Sequence, residues 1–338
     1  MTNHRDGAAW PELNYERDHE TFEVVQLWSQ IVGKVRLARA PWINHSWQVP
    51  FYVTARGFTT SLIPHPIASF DLEFDFIGNQ LTLRTSGGVA GSVRLGAGSI
   101  ASFYAGVMDM LEACGVATEI YPAPNELPEQ VPFEKDTAPR PYDAGAAERL
   151  WLALLKSDAV LKRFRSGFLG KVSPVHLFWG GFDLAVTRFS GRRAPLHPGG
   201  MPHLPDEVAR EAYSHEVSSA GFWPGAANKP YPLFYSYAYP EPDGFRDARR
   251  MPAGAAYDPE LQEYLLPYDK VRSARDPEQV LLDFLQSTYL AAAEPGHWDR
   301  NALECDFGKP KVVRRVPPPL ERGRSDAAQP RPGGSRSE

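Results

Sequence analysis

The sequence predicts an α+β fold of two pseudo-repeated units, each a mainly antiparallel sheet with flanking helices. Three observations carry this. Short apolar runs of strand length follow one another through tight turns, as hairpin-linked strands do. Helical periodicity stands before and after those runs rather than between them. A short string in the first half recurs in the second.

The first unit spans residues 10–121. Its folded part begins near Trp10-Pro11, and a helix is expected over Thr21–Arg39, where Val24, Trp28, Ile31 and Val35 share one face and Pro41 ends it. Strands are expected at Val49–Ala55, Phe58–Ile63, Phe70–Phe76, Leu81–Thr85 and Val93–Leu95. Phe70–Phe76 alternates strictly, so Asp71, Glu73 and Asp75 share the face opposite the phenylalanines. That pattern reads as a solvated sheet face. Gly78-Asn79 makes the turn to the next strand. Ser99 caps a helix running to Ala113, with Gly115 as its stop, and Val116–Tyr121 reads as one more strand.

Residues 122–142 form a proline-rich linker, semi-rigid rather than floppy. The second unit, 143–307, opens on a helix whose buried stripe is Leu150, Leu154, Leu161, Phe164 and Phe168. Extended segments follow at Val175–Phe178, Phe182–Phe189, Glu216–Phe222, Leu233–Tyr239 and Tyr264–Leu266. Asp276-Pro277 caps a last helix, Glu278 to Ala293. Residues 308–338 carry eight basic and three acidic side chains with few large apolar groups, so they read as a disordered basic tail.

The recurring string is His45-Ser46-Trp47 before Phe51–Arg56, against His176-Leu177-Phe178-Trp179 before Phe182–Arg188. Each histidine precedes an aromatic and a strand carrying Val-Thr near an arginine. A duplication would place the two histidines equivalently about a pseudo-twofold axis.

Composition narrows the function classes. A net charge of −5 is too mild to point to nucleic acid. Two cysteines, Cys114 and Cys305, make neither a disulfide framework nor a metal motif. No apolar stretch is long enough for a membrane span, and no signal peptide is visible, so a cytoplasmic location is expected. HExxH, CxxC, GxSxG and P-loop strings are absent, and Leu95–Gly98 lacks the rest of a dinucleotide fingerprint. The cations Lys34, Arg36, Arg39, Lys162, Arg163 and Arg165 fall in last helical turns, where the helix dipole favours them.

The candidate site residues are His176, His215, Trp179, Trp223, Lys171, Arg188, His45 and Trp47. Histidine titrates near neutral pH, and aromatic rings with a few polar groups build ligand pockets. Glycines beside them, Gly180-Gly181, Gly191 and Gly221, permit close approach. Trp42, Tyr235, Tyr237 and Tyr239 extend the aromatic set. His215 and Glu216 would point to opposite faces of a strand. No cofactor is implied, and no metal is assigned.

The strings Leu27–Lys34, Pro50–Thr54, Ser173–Gly180, Phe182–Arg193, Glu211–Glu216 and Ala220–Gly225 resemble a bacterial family of uncharacterised proteins, a domain of unknown function. The resemblance covers roughly residues 10–307 and brings no activity, cofactor or catalytic residue.

The expected function is therefore small-molecule binding, in an aromatic and histidine-lined pocket near the junction of the units. The alternative is a metal- or general-base-dependent enzyme using His176, His215 and a carboxylate. A small-molecule ligand is the expected partner, with no nucleic acid and no membrane. One consequence concerns the tail: truncation before Gly308 should leave the melting temperature unchanged. A drop of several degrees in a thermal scan would contradict it.

Overall fold

The computed structural model describes residues 9–314 other than 249. A long helix, α1 (Tyr15–Arg39), forms the element around which the rest is built. The Asn14 side chain caps it by accepting from Arg17 N at 3.1 Å. It starts six residues before the expected Thr21 because its first turns are polar and show no apolar period. Asp18 is nevertheless buried there, held by Arg17 and Arg149. From Leu27 to Arg36 every residue is buried, so α1 has no solvent stripe over that length.

Two helices pack against it. α2 (Ile100–Ala113) is capped by Ser99, and α3 (Ala144–Arg165) by Asp143. α3 stops before Phe168, which is buried just beyond its end. The proline-rich stretch between α2 and α3 lies against the body, with Ala123 and Phe133 buried.

The first sheet is an antiparallel meander in chain order: β1 (Tyr52–Val53), β2 (Gly57–Thr59), β3 (Phe70–Asp75), β4 (Gln80–Thr85) and β5 (Ala90–Arg94). Cross-strand pairs Phe58–Phe74, Phe74–Leu81 and Leu72–Leu83 make its core face. Three expectations are corrected. Val49–Ala55 supplies only the two residues of β1, because its earlier part leaves the sheet. Val116–Tyr121 joins no ladder; Arg39 holds it instead, donating to Thr118 and to the Ala117 carbonyl. The acidic face of β3 is not solvated: Arg84 pairs with Asp71 and Glu73, Arg56 with Asp75, and both Glu73 and Asp75 are buried.

The second sheet has the order β10-β11-β9-β8-β7-β6. Its strands are β6 (His176–Phe178), β7 (Asp183–Arg193), β8 (His215–Trp223), β9 (Leu233–Tyr239), β10 (Ala256–Asp258) and β11 (Glu263–Pro267). Helices α4 (Asp206–Ala212), α5 (Tyr268–Arg272) and α7 (Arg300–Leu303) are short and lack a readable apolar period, so periodicity did not announce them. α6 (Pro277–Ala293) carries the expected Asp276 cap. One face of this sheet packs on α3 and α6. The edges of the two sheets meet where Phe51 and Leu177 exchange two backbone hydrogen bonds of 2.8 Å.

The recurring strings do not occupy equivalent places. His45 lies in a 3-10 turn before an edge strand of the first sheet. His176 starts β6, and the strand after it, β7, is interior to the second sheet. The described residues up to Phe307 also cluster as one compact unit. Beyond Arg314 the expected tail lies outside the described residues. Among the described residues no helix is long and apolar enough to cross a membrane.

Arg188 points into the core side of the second sheet. Its guanidinium lies 3.5 Å from the Phe164 ring centre and 4.4 Å from that of Tyr289, and it donates to the Phe164 carbonyl. Burial pushes its pKa down to about 10. Truncating such a group leaves both a void and a stranded carbonyl, whereas an apolar residue of similar length fills the space. Arg188→Ala should lose about 3 kcal/mol in urea unfolding, and Arg188→Met should stay within about 1 kcal/mol of the parent.

Candidate functional site

The other face of the second sheet is left uncovered by helices α3 and α6. Register assigns its residues: His176 and Phe178 on β6, Asp183, Ala185, Thr187 and Phe189 on β7, Val217, Ser219 and Gly221 on β8, Tyr235 and Tyr237 on β9. The centre of this face is small (Ala185, Thr187, Ser219, Gly221), and the rim is aromatic. Small residues ringed by large ones leave a hollow.

Over the hollow lies a roof of four segments: the last turns of α1, residues 42–49, residues 121–130, and residues 201–213. The space between is a cavity of about 840 Å³, within the usual range for ligand pockets. A second hollow of about 1120 Å³ adjoins it and shares Glu126, Asp183, Met201, Tyr213, Tyr235 and Tyr237.

The roof is tied down by hydrogen bonds. The Gln30 amide brackets Asn125, accepting from its N–H at 2.7 Å and donating to its carbonyl at 2.8 Å. Glu126 N donates to the Pro202 carbonyl at 3.1 Å. His45 N donates to the Glu211 carboxylate, and the His45 Nδ1–H to the Ala212 carbonyl at 2.8 Å. That fixes Nε2 as the acceptor for Lys171 Nζ. His45 is thereby held as a neutral ring, its pKa lowered by burial and further by Lys171. His45, Ser46, Glu126 and His203 all adopt left-handed backbone, with φ of 61°, 58°, 60° and 52°. Each such non-glycine residue costs about 1 kcal/mol or more, and such residues gather at ligand sites.

Polar chemistry sits on the floor. Tyr235 donates to the Asp183 carboxylate, the Tyr213 and Tyr237 hydroxyls bond at 2.8 Å, and so do those of Thr187 and Ser219. Gly221 makes the first contact possible: a Cβ there would stand 2.7 Å from the Tyr235 hydroxyl. Glu263, opposite Tyr237 in the register, adds a carboxylate to the second hollow. Lys34, 2% exposed, faces the first between the Trp179 and Tyr121 rings and donates to Asn125 Oδ1.

Among these groups Lys34 is buried, Asp183 and Glu263 are half-buried and Glu126 is exposed, and desolvation by the surrounding protein is the largest influence on their protonation. It pushes Asp183 up to about 6, Glu126 up to about 7 and Glu263 up to about 8. The Asp183 charge raises the latter two further. Burial brings Lys34 down to about 8.

The residues expected from sequence separate into groups. His45, Trp47 and Trp179 line the first cavity, and Trp223 lines the second. The Trp179 indole donates to the Val49 carbonyl at 3.0 Å. Lys171 stands behind His45, packed over the Trp47 and Phe189 rings. Arg188 is on the opposite face, because β7 alternates. His176 and His215 line neither cavity. His176 is fully buried with both ring nitrogens unpartnered, and burial, then Arg36 and Arg165, push it down to about 3. His215 lies 6.2 Å from the His45 ring, which is 5.4 Å from Trp47, itself 6.4 Å from His176. Two rings therefore stand between the two histidines. Among the described residues no group of three His, Cys, Asp or Glu side chains is placed to hold a metal ion.

Sequence reasoning missed Glu126, Asp183 and Glu263. Asp183 carried a usable signal, as a carboxylate on a strand that is otherwise apolar up to Arg188. Glu126 carried none, since its place depends on a left-handed turn in the proline-rich stretch.

A family described as one of unknown function (DUF5996) matches residues 10–305. No curated protein and no solved structure matches the chain.

The raised carboxyls make stability pH-dependent. Their folded pKa values exceed the unfolded value of about 4, so the folded chain holds protons that the unfolded chain has lost. Stability therefore falls as pH rises through the folded values. Depressed His176 acts with the opposite sign, but only below about 6.5. Lys34 also has the opposite sign, above about 8. Between pH 6.5 and 8 the melting temperature of the ligand-free protein should fall, and Glu126→Gln combined with Glu263→Gln should flatten that fall in a pH series of thermal scans.

Proposed function

The chain belongs to the family of unknown function DUF5996, spanning residues 10–305 of it, and from that premise we propose that it binds a small organic molecule in the cavity over the open face of the second sheet. One observation carries the reading. Rings of the kind that fill cores, Trp47, Phe178, Trp179, Phe189, Tyr235 and Tyr237, line a space of about 840 Å³, although Trp47 also meets Phe189 and Tyr235 stacks on Tyr237. A void that size lined by aromatics forgoes a large dispersion gain, so an occupant is worth much to the fold. The roof adds a second support. Its left-handed residues and the His45–Glu211 tie hold a defined ceiling where a collapsed core would have needed neither.

An enzyme remains the second reading, with different residues from those the sequence suggested. His176 and His215 do not converge, so a histidine pair is not its basis. The observation that favours it is the Asp183–Tyr235 hydrogen bond at a cavity wall, with Glu126 beside it, since carboxyls shifted toward neutrality suit general acid–base work.

The test uses an uncharged dye and two substitutions that fill the space. Nile red should bind the parent protein with a rise in emission. Ala185→Phe on the floor and Ala212→Trp on the roof should each weaken that binding tenfold or more while the far-UV circular dichroism is retained. A parent that binds no dye, or filled variants that bind it equally, would remove the cavity as the site.

A further inference from the structure

We propose that this cavity takes an organic ammonium ion with an apolar body, its charge held between the Glu126 and Asp183 carboxylates over Gly180-Gly181. The inference rests on the small-molecule reading and names the chemical class of the ligand.

Four observations support it. The first is convergence. A Cβ placed on Gly181 would lie 3.1 Å from Asp183 Oδ1 and 3.9 Å from Glu126 Oε2. Two carboxylates from separate segments thus flank one point, and a glycine keeps it clear of a side chain. At Gly180 a Cβ would come within 1.9 Å of Glu126 Oε1, so the same carboxylate rests on bare backbone.

The second is the state of Glu126. Its residue is in left-handed backbone and its N–H is pinned to Pro202. Among the described residues its carboxylate shows no hydrogen bond and no ion pair. The residue is exposed, so this carboxylate is open to a ligand entering the space it lines. A strained backbone that presents one without a partner has placed it for something else.

The third is charge balance. Lys34 is the one lysine or arginine lining the first cavity, against the carboxylates of Glu126 and Asp183; Glu263 lines the second hollow, where Arg140 is the one such cation and pairs with Asp136. Lys34 offsets Glu126 in part, each acting on the other's protonation, but its ammonium donates to Asn125 and it forms no ion pair with a carboxylate. The histidines His45 and His203 also line the cavity, and His45 is held neutral by Lys171. Asp258, facing Glu263 on β10, is taken by Lys229. In the first cavity an anionic ligand would meet one lysine and two carboxyls, whereas an ammonium meets two carboxyls and one like charge.

The fourth is the wall. Lys34 Nζ itself stands 5.2 Å from the Tyr121 ring centre and 5.4 Å from that of Trp179. The protein already holds a cation against this aromatic surface, by the attraction of a positive charge for a ring face. Tyr235 and Tyr237, stacked at 6.1 Å beside Asp183, continue it.

Protons tie the two together. Burial keeps part of the carboxyls protonated near neutrality, and an ammonium ion binds the ionised form. Binding should then release protons and strengthen as pH rises from 6 to 8, while an alkylammonium stays charged up to about pH 10. Lys34, brought down to about 8 by burial, begins to lose its proton at the top of this range and would act in the same direction, so the Glu126→Gln variant is needed to assign the effect. The Tyr213, Tyr235 and Tyr237 hydroxyls, all pushed up by burial, do not titrate in this range.

The experiment compares three probes of one shape on the full chain: phenethylammonium, 2-phenylethanol and phenylacetate, each titrated by calorimetry and by displacement of Nile red. The ammonium should bind at least tenfold tighter than the alcohol, and phenylacetate weakest. Glu126→Gln and Asp183→Asn should each weaken the ammonium fivefold or more and leave the alcohol within twofold. Ammonium affinity should rise from pH 6 to 8, less steeply in Glu126→Gln, with the alcohol flat. Should Asp183→Asn fail to fold, the Glu126→Gln variant and the pH series on the parent decide the matter. Equal binding of ammonium and alcohol, tighter binding of phenylacetate, or no displacement by any probe from a protein that binds Nile red would overturn the cation assignment and leave the pocket standing. Failure of Nile red itself would remove the pocket, and this inference with it.

Discussion

Two backbone hydrogen bonds between Phe51 and Leu177 decide how the rest of the molecule is arranged. They join the edge of a sheet made from the first part of the chain to the edge of one made from the second. The residues just before Phe51 are carried over the second sheet as a consequence. Trp179 secures the same junction from the other side, its indole donating to Val49. Its ring lies so close to α1 that Gly33 has no room for a methyl group. The roof of the cavity is thus set by pairing at a sheet edge.

A sheet with one face on helices and the other on a roof of loops carries two different kinds of order. The helix side is governed by packing density, and even Arg188 is accommodated there as a stack of flat groups. The roof side is governed by hydrogen bonds to backbone: Gln30 on Asn125, Glu211 on His45, Asn125 on the His203 carbonyl. Such contacts hold positions without filling volume. That difference is why space survives over one face and not over the other, and why the polar groups of the chain gather on that side.

Much of the fold was legible in the sequence. Caps at Ser99, Asp143 and Asp276 and the alternation of Phe70–Asp75 are local signals, and local hydrogen bonding and burial follow them. The first turns of α1 were not legible, because a polar segment is buried there by ion pairs from Arg149 on a distant helix. The site was legible in part. Aromatic density drew attention to Trp47, Trp179 and Tyr235, and the structure gathers those. Arg188 and Thr187 are adjacent in sequence and on opposite faces, so proximity along the chain misassigned the arginine. His176 misled because it is wholly buried among aromatic rings with Arg36 and Arg165 nearby, and a buried neutral ring leaves no trace in a string of letters. Glu126 was invisible, since only tertiary pinning gives a residue in a proline-rich stretch its left-handed turn.

The burial of α1 on all sides has a consequence for biosynthesis. This helix leaves the ribosome before its surroundings, which come from α2, α3 and the strand after Ser173. Trp10, just ahead of it, packs against Phe234 and Tyr268, which are made more than two hundred residues later. Contacts of such long sequence separation close late and slowly. For most of translation the stretch from Leu27 to Val35 therefore lacks its final neighbours, and the nascent chain must stay soluble with Leu27, Trp28, Ile31, Val32 and Val35 uncovered. The charged side chains that flank this stretch, Glu16 to Glu23 before it and Arg36 and Arg39 after it, favour water during that interval, which gives them a role in production that the finished molecule no longer displays.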